Sequence, residues 1–111
     1  MSSEHWTKRL AIYDALVAKC PEFERKGKSM IYTSANGYMF SLLNKDGEIG
    51  IRLPKDRYDR FIEEHSSGPY RSYGSVMREY VLVPDEMLED LDTLAAYLNE
   101  SYAYVMSLEP K

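Results

Sequence analysis

The chain has 111 residues, 44% hydrophobic and 29% charged, with a formal net charge of −4. That length suits one domain spanning residues 1–111 with a core that needs no staples, and the composition speaks against a disordered chain. Basic and acidic residues number six and four in residues 1–28, seven and seven in 29–83, and one and seven in 84–111; the acidic last quarter repels a phosphate backbone and disfavours non-specific nucleic-acid binding.

The opening MSSEHWTKRL carries charges where a secretory signal needs an apolar run, and no stretch reaches membrane-spanning length. The expectation is a cytoplasmic protein with no membrane partner. Cys20 is the single cysteine, so no internal disulfide forms, in keeping with a reducing compartment.

Ser2 or Ser3 is placed to cap a first helix, in which Trp6, Leu10, Tyr13, Leu16, Val17 and Cys20 recur at three- and four-residue spacing. Pro21 ends it near Lys19, and Gly27 supplies a turn. The run from Ser29 to Pro54 then divides into three strands. Asn36 and Gly37 tolerate the positive φ angles of a tight hairpin, and Lys45, Asp46 and Gly47 form a second turn. Strict alternation puts Tyr38, Phe40 and Leu42 on one face of the middle strand and Met39, Ser41 and Leu43 on the other. Both faces are then apolar, which predicts cover on both sides or an interface.

Pro54 closes the third strand, and KDRYDRFIEEH reads as an amphipathic helix buried through Tyr58, Phe61 and Ile62. SSGPYRSYGS is rich in turn formers, with Pro69 to Arg71 able to pair as an edge strand. MREYVLVP is the last strand, with Tyr80 and Leu82 on one face and Met77, Val81 and Val83 on the other. PDEML gives a short helical turn, and Asp92 is placed to cap a final helix carrying Leu91, Leu94, Leu98, Ser101, Val105 and Leu108. The predicted fold is α+β: an antiparallel sheet of four to five strands flanked by N-terminal, central and C-terminal helices.

This order, with Met30, NGYMFSLL, DGEIGIRLP, a helix, MREYVLVP and DTLAAYLNESYAYV, resembles the TfoX N-terminal domain family from about Lys28 to Leu108. The resemblance implies a small α+β domain of secretion-chaperone-like outline. The best-known members regulate natural competence and carry a separate C-terminal domain; this chain resembles a stand-alone version. Family members often have Met-Phe-Gly-Gly at the first strand, where this chain has Met30, Ile31, Tyr32 and Thr33. Any close backbone approach made by those glycines is altered here. The family pattern supplies no catalytic residues.

The residues themselves point to no catalytic set, cofactor or metal site. Cys20 at a helix C-terminus has its pKa raised, the reverse of an activated nucleophile. His5 and His65 lack neighbours in zinc-ligand spacing and are expected to be solvated. Asp85, Glu86, Glu89, Asp90 and Asp92 lack the spacing of a calcium loop and form a solvated acidic corner. Arg52, Lys55, Arg57, Arg60, Arg71 and Arg78 alternate with carboxylates, which favours intramolecular ion pairs. Tyr70, Arg71 and Tyr73 in the turn-rich loop are residue types enriched at interfaces, and Met39, Leu43 and Tyr80 mark the open sheet face.

The expected function is therefore that of a non-enzymatic regulatory or adaptor domain acting on an unidentified protein partner, or on a second copy, through these six residues. The alternatives are a nucleic-acid-associated regulator and a protein that binds a small ligand between the first helix and the sheet.

Overall fold

The apolar spacing of Trp6, Leu10, Tyr13, Leu16 and Val17 folds as α1 (Ser2–Ala18). The computed structural model describes residues 2–28, 30–72 and 74–110, with Ser2 and Ser3 described through their backbone, so the expected cap lies outside the described side chains. There follow β1 (Ile31–Ala35), β2 (Tyr38–Leu43), β3 (Ile49–Arg52), α2 (Lys55–His65), β4 (Pro69–Ser72), β5 (Ser75–Leu82), a 3₁₀ turn (Asp85–Glu89) and α3 (Leu91–Met106). The strands make one antiparallel sheet in the order β1-β2-β3-β5-β4, so the architecture is the expected α+β one.

Turn chemistry sets the meander. Asn36 and Gly37, at φ of 58° and 84°, join β1 to β2, and Asn36 is the residue type that tolerates this region best after glycine. The second turn is organised by Asn44, whose Oδ1 accepts hydrogen bonds from the amides of Asp46 and Glu48 at 3.0 and 2.9 Å. Gly47 completes it at φ 81°. The Trp6 indole donates to the Asn44 carbonyl at 3.0 Å and fastens α1 to this turn.

All three helices cover one face of the sheet. Tyr13 and Leu16 of α1, Phe61 of α2 and Leu94, Leu98 and Val105 of α3 share a buried cluster with Ile31, Phe40, Leu43, Ile49, Ile51, Val81 and Val83. Full burial of each such aliphatic or aromatic side chain contributes about 1.5–3 kcal/mol. Within this apolar layer the Tyr13 hydroxyl lies 2.6 Å from Ser41 Oγ, which also bonds Thr33 Oγ1, so the three buried hydroxyls satisfy one another. The opposite face carries a second cluster of Leu42, Tyr70 and Tyr80, flanked by half-buried Tyr32, Met39, Met77 and Leu82.

Two backbone irregularities overturn the expected alternation. Thr33 faces Ser41 but the next residue, Ser34, faces Met39, so Phe40 is an extra residue in β2. Phe40 and Ser41 consequently both turn toward the helices, and Leu42 and Leu43 exchange their expected faces. In β5, Glu79 adopts φ 71°, which breaks the two-residue period and brings Met77 to the same face as Tyr80 and Leu82. A third correction concerns α3, whose N-cap is Asp90 rather than Asp92. The Asp90 side chain accepts from the Thr93 amide at 3.3 Å and from its hydroxyl at 2.7 Å. Those bonds hold the Asp90 carboxyl below its usual pKa.

Candidate interaction surface

The second face of the sheet is roofed in part by the chain's own β4–β5 hairpin. Pro69 faces Val81, yet Arg71, two residues on, faces Val76. The surplus residues let β5 bow outward, and β4 curls until the Arg71 carbonyl accepts from Asn44 Nδ2 at 2.9 Å. Tyr70 is carried across to Gly50 of β3, where a Cβ would lie 2.6 Å from its ring. Its hydroxyl donates to the Glu48 carbonyl at 2.9 Å, while the Tyr80 hydroxyl donates to the Met39 carbonyl at 2.6 Å. Burial raises the pKa of both phenols well above that of a free tyrosine, so neither supplies an ionised oxygen at neutral pH.

Of the six residues marked by the sequence, Tyr70, Tyr80 and Met39 meet in this second cluster. Tyr70 and Tyr80 are buried there, and Met39 is half-buried. Leu43 is buried under the helices on the other side, because of the extra residue at Phe40. Arg71 is exposed, and Tyr73 lies outside the described residues. Most of the tyrosine contact area marked by the sequence is thus spent inside the molecule.

The accessible surface lies beside it, along the bowed part of β5. Val76 is 51% exposed, and with Lys55, Tyr58, Arg78 and Glu79 it lines a groove of about 360 Å³ between α2 and β5. Sequence reasoning missed Val76 because it started the strand at Met77; the alternation of Val76 with Arg78 was the available signal. Beneath the groove, Glu79 receives the Arg52 guanidinium at 2.8 Å and the Tyr104 hydroxyl at 3.2 Å. Arg52 in turn sits 5.5 Å from the ring centres of both Tyr38 and Tyr104. These contacts over-determine Glu79 and hold its positive φ in place.

The six expected cations divide evenly. Arg52 pairs with Glu79, Lys55 with Asp59 and Arg57 with Glu100, whereas Arg60, Arg71 and Arg78 have no ion pair among the described residues. In the acidic corner Asp85 and Asp92 pair with Arg9 and Lys19.

Compared with known proteins, the chain matches no family model, no curated protein and no solved structure. What the site can do follows from its own residues. Cys20 is buried, and burial raises its thiol pKa. His5 is exposed, but His65 is half-buried, with Nε2 at 3.1 Å from the Tyr97 hydroxyl and its ring against Phe61. Among the described residues no three His, Cys, Asp or Glu side chains converge to hold a metal ion. No described helix is long and apolar enough to cross a membrane.

Proposed function

We propose that this chain is a non-enzymatic regulatory or adaptor domain of the TfoX N-terminal type, and that it works by protein contact through the outer side of the β4–β5 hairpin. The observation that carries this reading is the placement of Val76, 51% exposed, next to Arg78 and the half-buried Tyr58, with Arg71, which has no ion pair among the described residues, on the neighbouring strand. An apolar contact bordered by unneutralised arginines is the composition of a protein-binding patch, in which apolar area supplies affinity and the charges supply register.

A photo-crosslinking residue placed at Val76 and mixed with cell lysate tests this reading. A discrete protein adduct is expected, competed by unlabelled chain and weakened by Arg71→Ala. The same label at Met106, 48% exposed on another part of the surface, serves as the control and should give no such adduct. Equal, uncompeted labelling at both positions would overturn the reading. Duplex DNA binding at low ionic strength, where electrostatic attraction is least screened, would transfer the assignment to a nucleic-acid-associated regulator.

A further inference from the structure

The groove between the first turn of α2 and the bowed part of β5 couples apolar contact area with poorly neutralised cations. We propose that it binds an extended acidic peptide of a partner protein, with one apolar peptide side chain lodged between Tyr58 and Val76 and a flanking carboxylate on Arg78. The proposal rests on the protein-contact reading and adds the chemistry of the partner.

Each wall of the groove supports one part of that occupant. Val76 is 51% exposed, so an apolar side chain seated on it removes water from both surfaces. Arg78 is exposed and has no carboxylate partner among the described residues, and its planar fork matches a carboxylate through two parallel hydrogen bonds. Lys55 meets Asp59 at 3.3 Å, but both side chains are largely exposed, at 84% and 62%, so that pair is weak and yields to an incoming carboxylate. Glu79 is the groove's own carboxylate, and Arg52 and Tyr104 already occupy its oxygens. An extended backbone also has somewhere to lie. Met77 and Arg78 have no opposite residue in either β3 or β4, because the pairing with β3 ends where the Leu53 amide donates to the Glu79 carbonyl at 2.9 Å and the residues facing β4 step from Val81 to Val76.

A separate partner fits better than a second copy. Three of the five carboxylates in the chain's own acidic corner have intramolecular roles, Asp85 with Arg9, Asp92 with Lys19 and Asp90 as the cap of α3, which leaves exposed Glu86 and Glu89. A contact between that corner and this groove would also join two different surfaces of identical chains, a head-to-tail arrangement that builds rings or filaments, whereas a separate acidic peptide fills the groove one to one.

The test is fluorescence anisotropy of the full chain with a labelled peptide of alternating Glu and Val, at low ionic strength. Binding is expected, with a loss of about tenfold or more for Arg78→Glu and for Val76→Asp, no change for Met106→Asp, and progressive weakening with added salt. A peptide of alternating Lys and Val should not bind. Both groove substitutions are at exposed positions, and an unchanged urea midpoint verifies that the variants fold; Arg78→Ala provides a milder version. Equal affinity for the two peptides, silence of the acidic peptide, or insensitivity to both groove substitutions would each overturn the proposal. A sedimentation mass that rises with concentration and falls back with Val76→Asp would assign the groove to a second copy and overturn it as well. If Val76 crosslinks to a lysate protein while the acidic peptide stays silent, the partner chemistry fails and the protein-contact reading stands.

Discussion

The Tyr70 ring fills the space above Gly50 that any other residue's side chain would occupy, since a Cβ there would come within 2.6 Å of the ring. Tyr70 is fully buried and bonded at its far end to the Glu48 carbonyl, so it has little freedom to withdraw. Gly50→Ala is expected to destabilise the fold by about 1–3 kcal/mol, the usual cost of overpacking. Urea unfolding measures it. In a Tyr70→Leu background the same alanine should cost clearly less, because the two positions share one volume.

Asn36 links the first hairpin to the end of α3, its Nδ2 donating to the carbonyls of Val105 and Leu108 at 2.9 and 2.8 Å. Asn36→Gly retains the turn geometry and removes those bonds, for an expected loss of about 1–3 kcal/mol. Asn36→Ala should lose about 1–2 kcal/mol more, from the φ of 58° that alanine tolerates poorly. Equal midpoints for the two variants would show that turn strain is not a factor.

The Arg52 guanidinium lies between the rings of Tyr38 and Tyr104 while it holds Glu79. Arg52→Lys preserves the charge but not the planar stacking. Its expected cost is about 1 kcal/mol, with most of the secondary structure unchanged by circular dichroism. A neutral result would mean that the ion pair alone positions Glu79.

Tyr13, Tyr70 and Tyr80 all have pKa values raised by burial. The neutral phenol is favoured in the folded state, so the stability tied to these groups is complete below the unfolded tyrosine pKa of about 10. It declines as pH rises through the interval toward the folded values. Over that interval each phenol removes about 1.4 kcal/mol per pH unit. Alkaline titration followed at the tyrosinate absorbance should therefore show a cooperative late step that coincides with loss of near-ultraviolet circular dichroism. Tyr80→Phe should reduce the steepness of that loss.

Element identity and order were legible in the sequence because Asn36-Gly37, Asp46-Gly47, Pro54 and Pro84 mark turns by backbone chemistry that packing rarely overrides. The edge strand at Pro69 was legible too. Side-chain direction was legible only as far as the strands stayed regular. Nothing in YMFSLL announces that Phe40 is an extra residue, since a bulge is chosen by how β1 and β2 pair across the sheet. Glu79 offers no local signal for a positive φ either; the conformation is held by Arg52 and Tyr104, remote in sequence. These two irregularities account for the faces misread at Leu42, Leu43 and Met77. The register step between Pro69 and Arg71 explains why Tyr70, which resembled part of a docking surface, turned out to roof the chain's own sheet.

The bonds from Asn36 to Val105 and Leu108, with that from the Tyr38 hydroxyl to the Glu109 carbonyl at 2.7 Å, have a consequence for synthesis. The first hairpin leaves the ribosome early, but the groups that secure it are translated some seventy residues later. A nascent chain therefore holds that hairpin by its strand neighbours alone until α3 has been made, which makes the docking of α3, rather than formation of the sheet, the step that ties the two together.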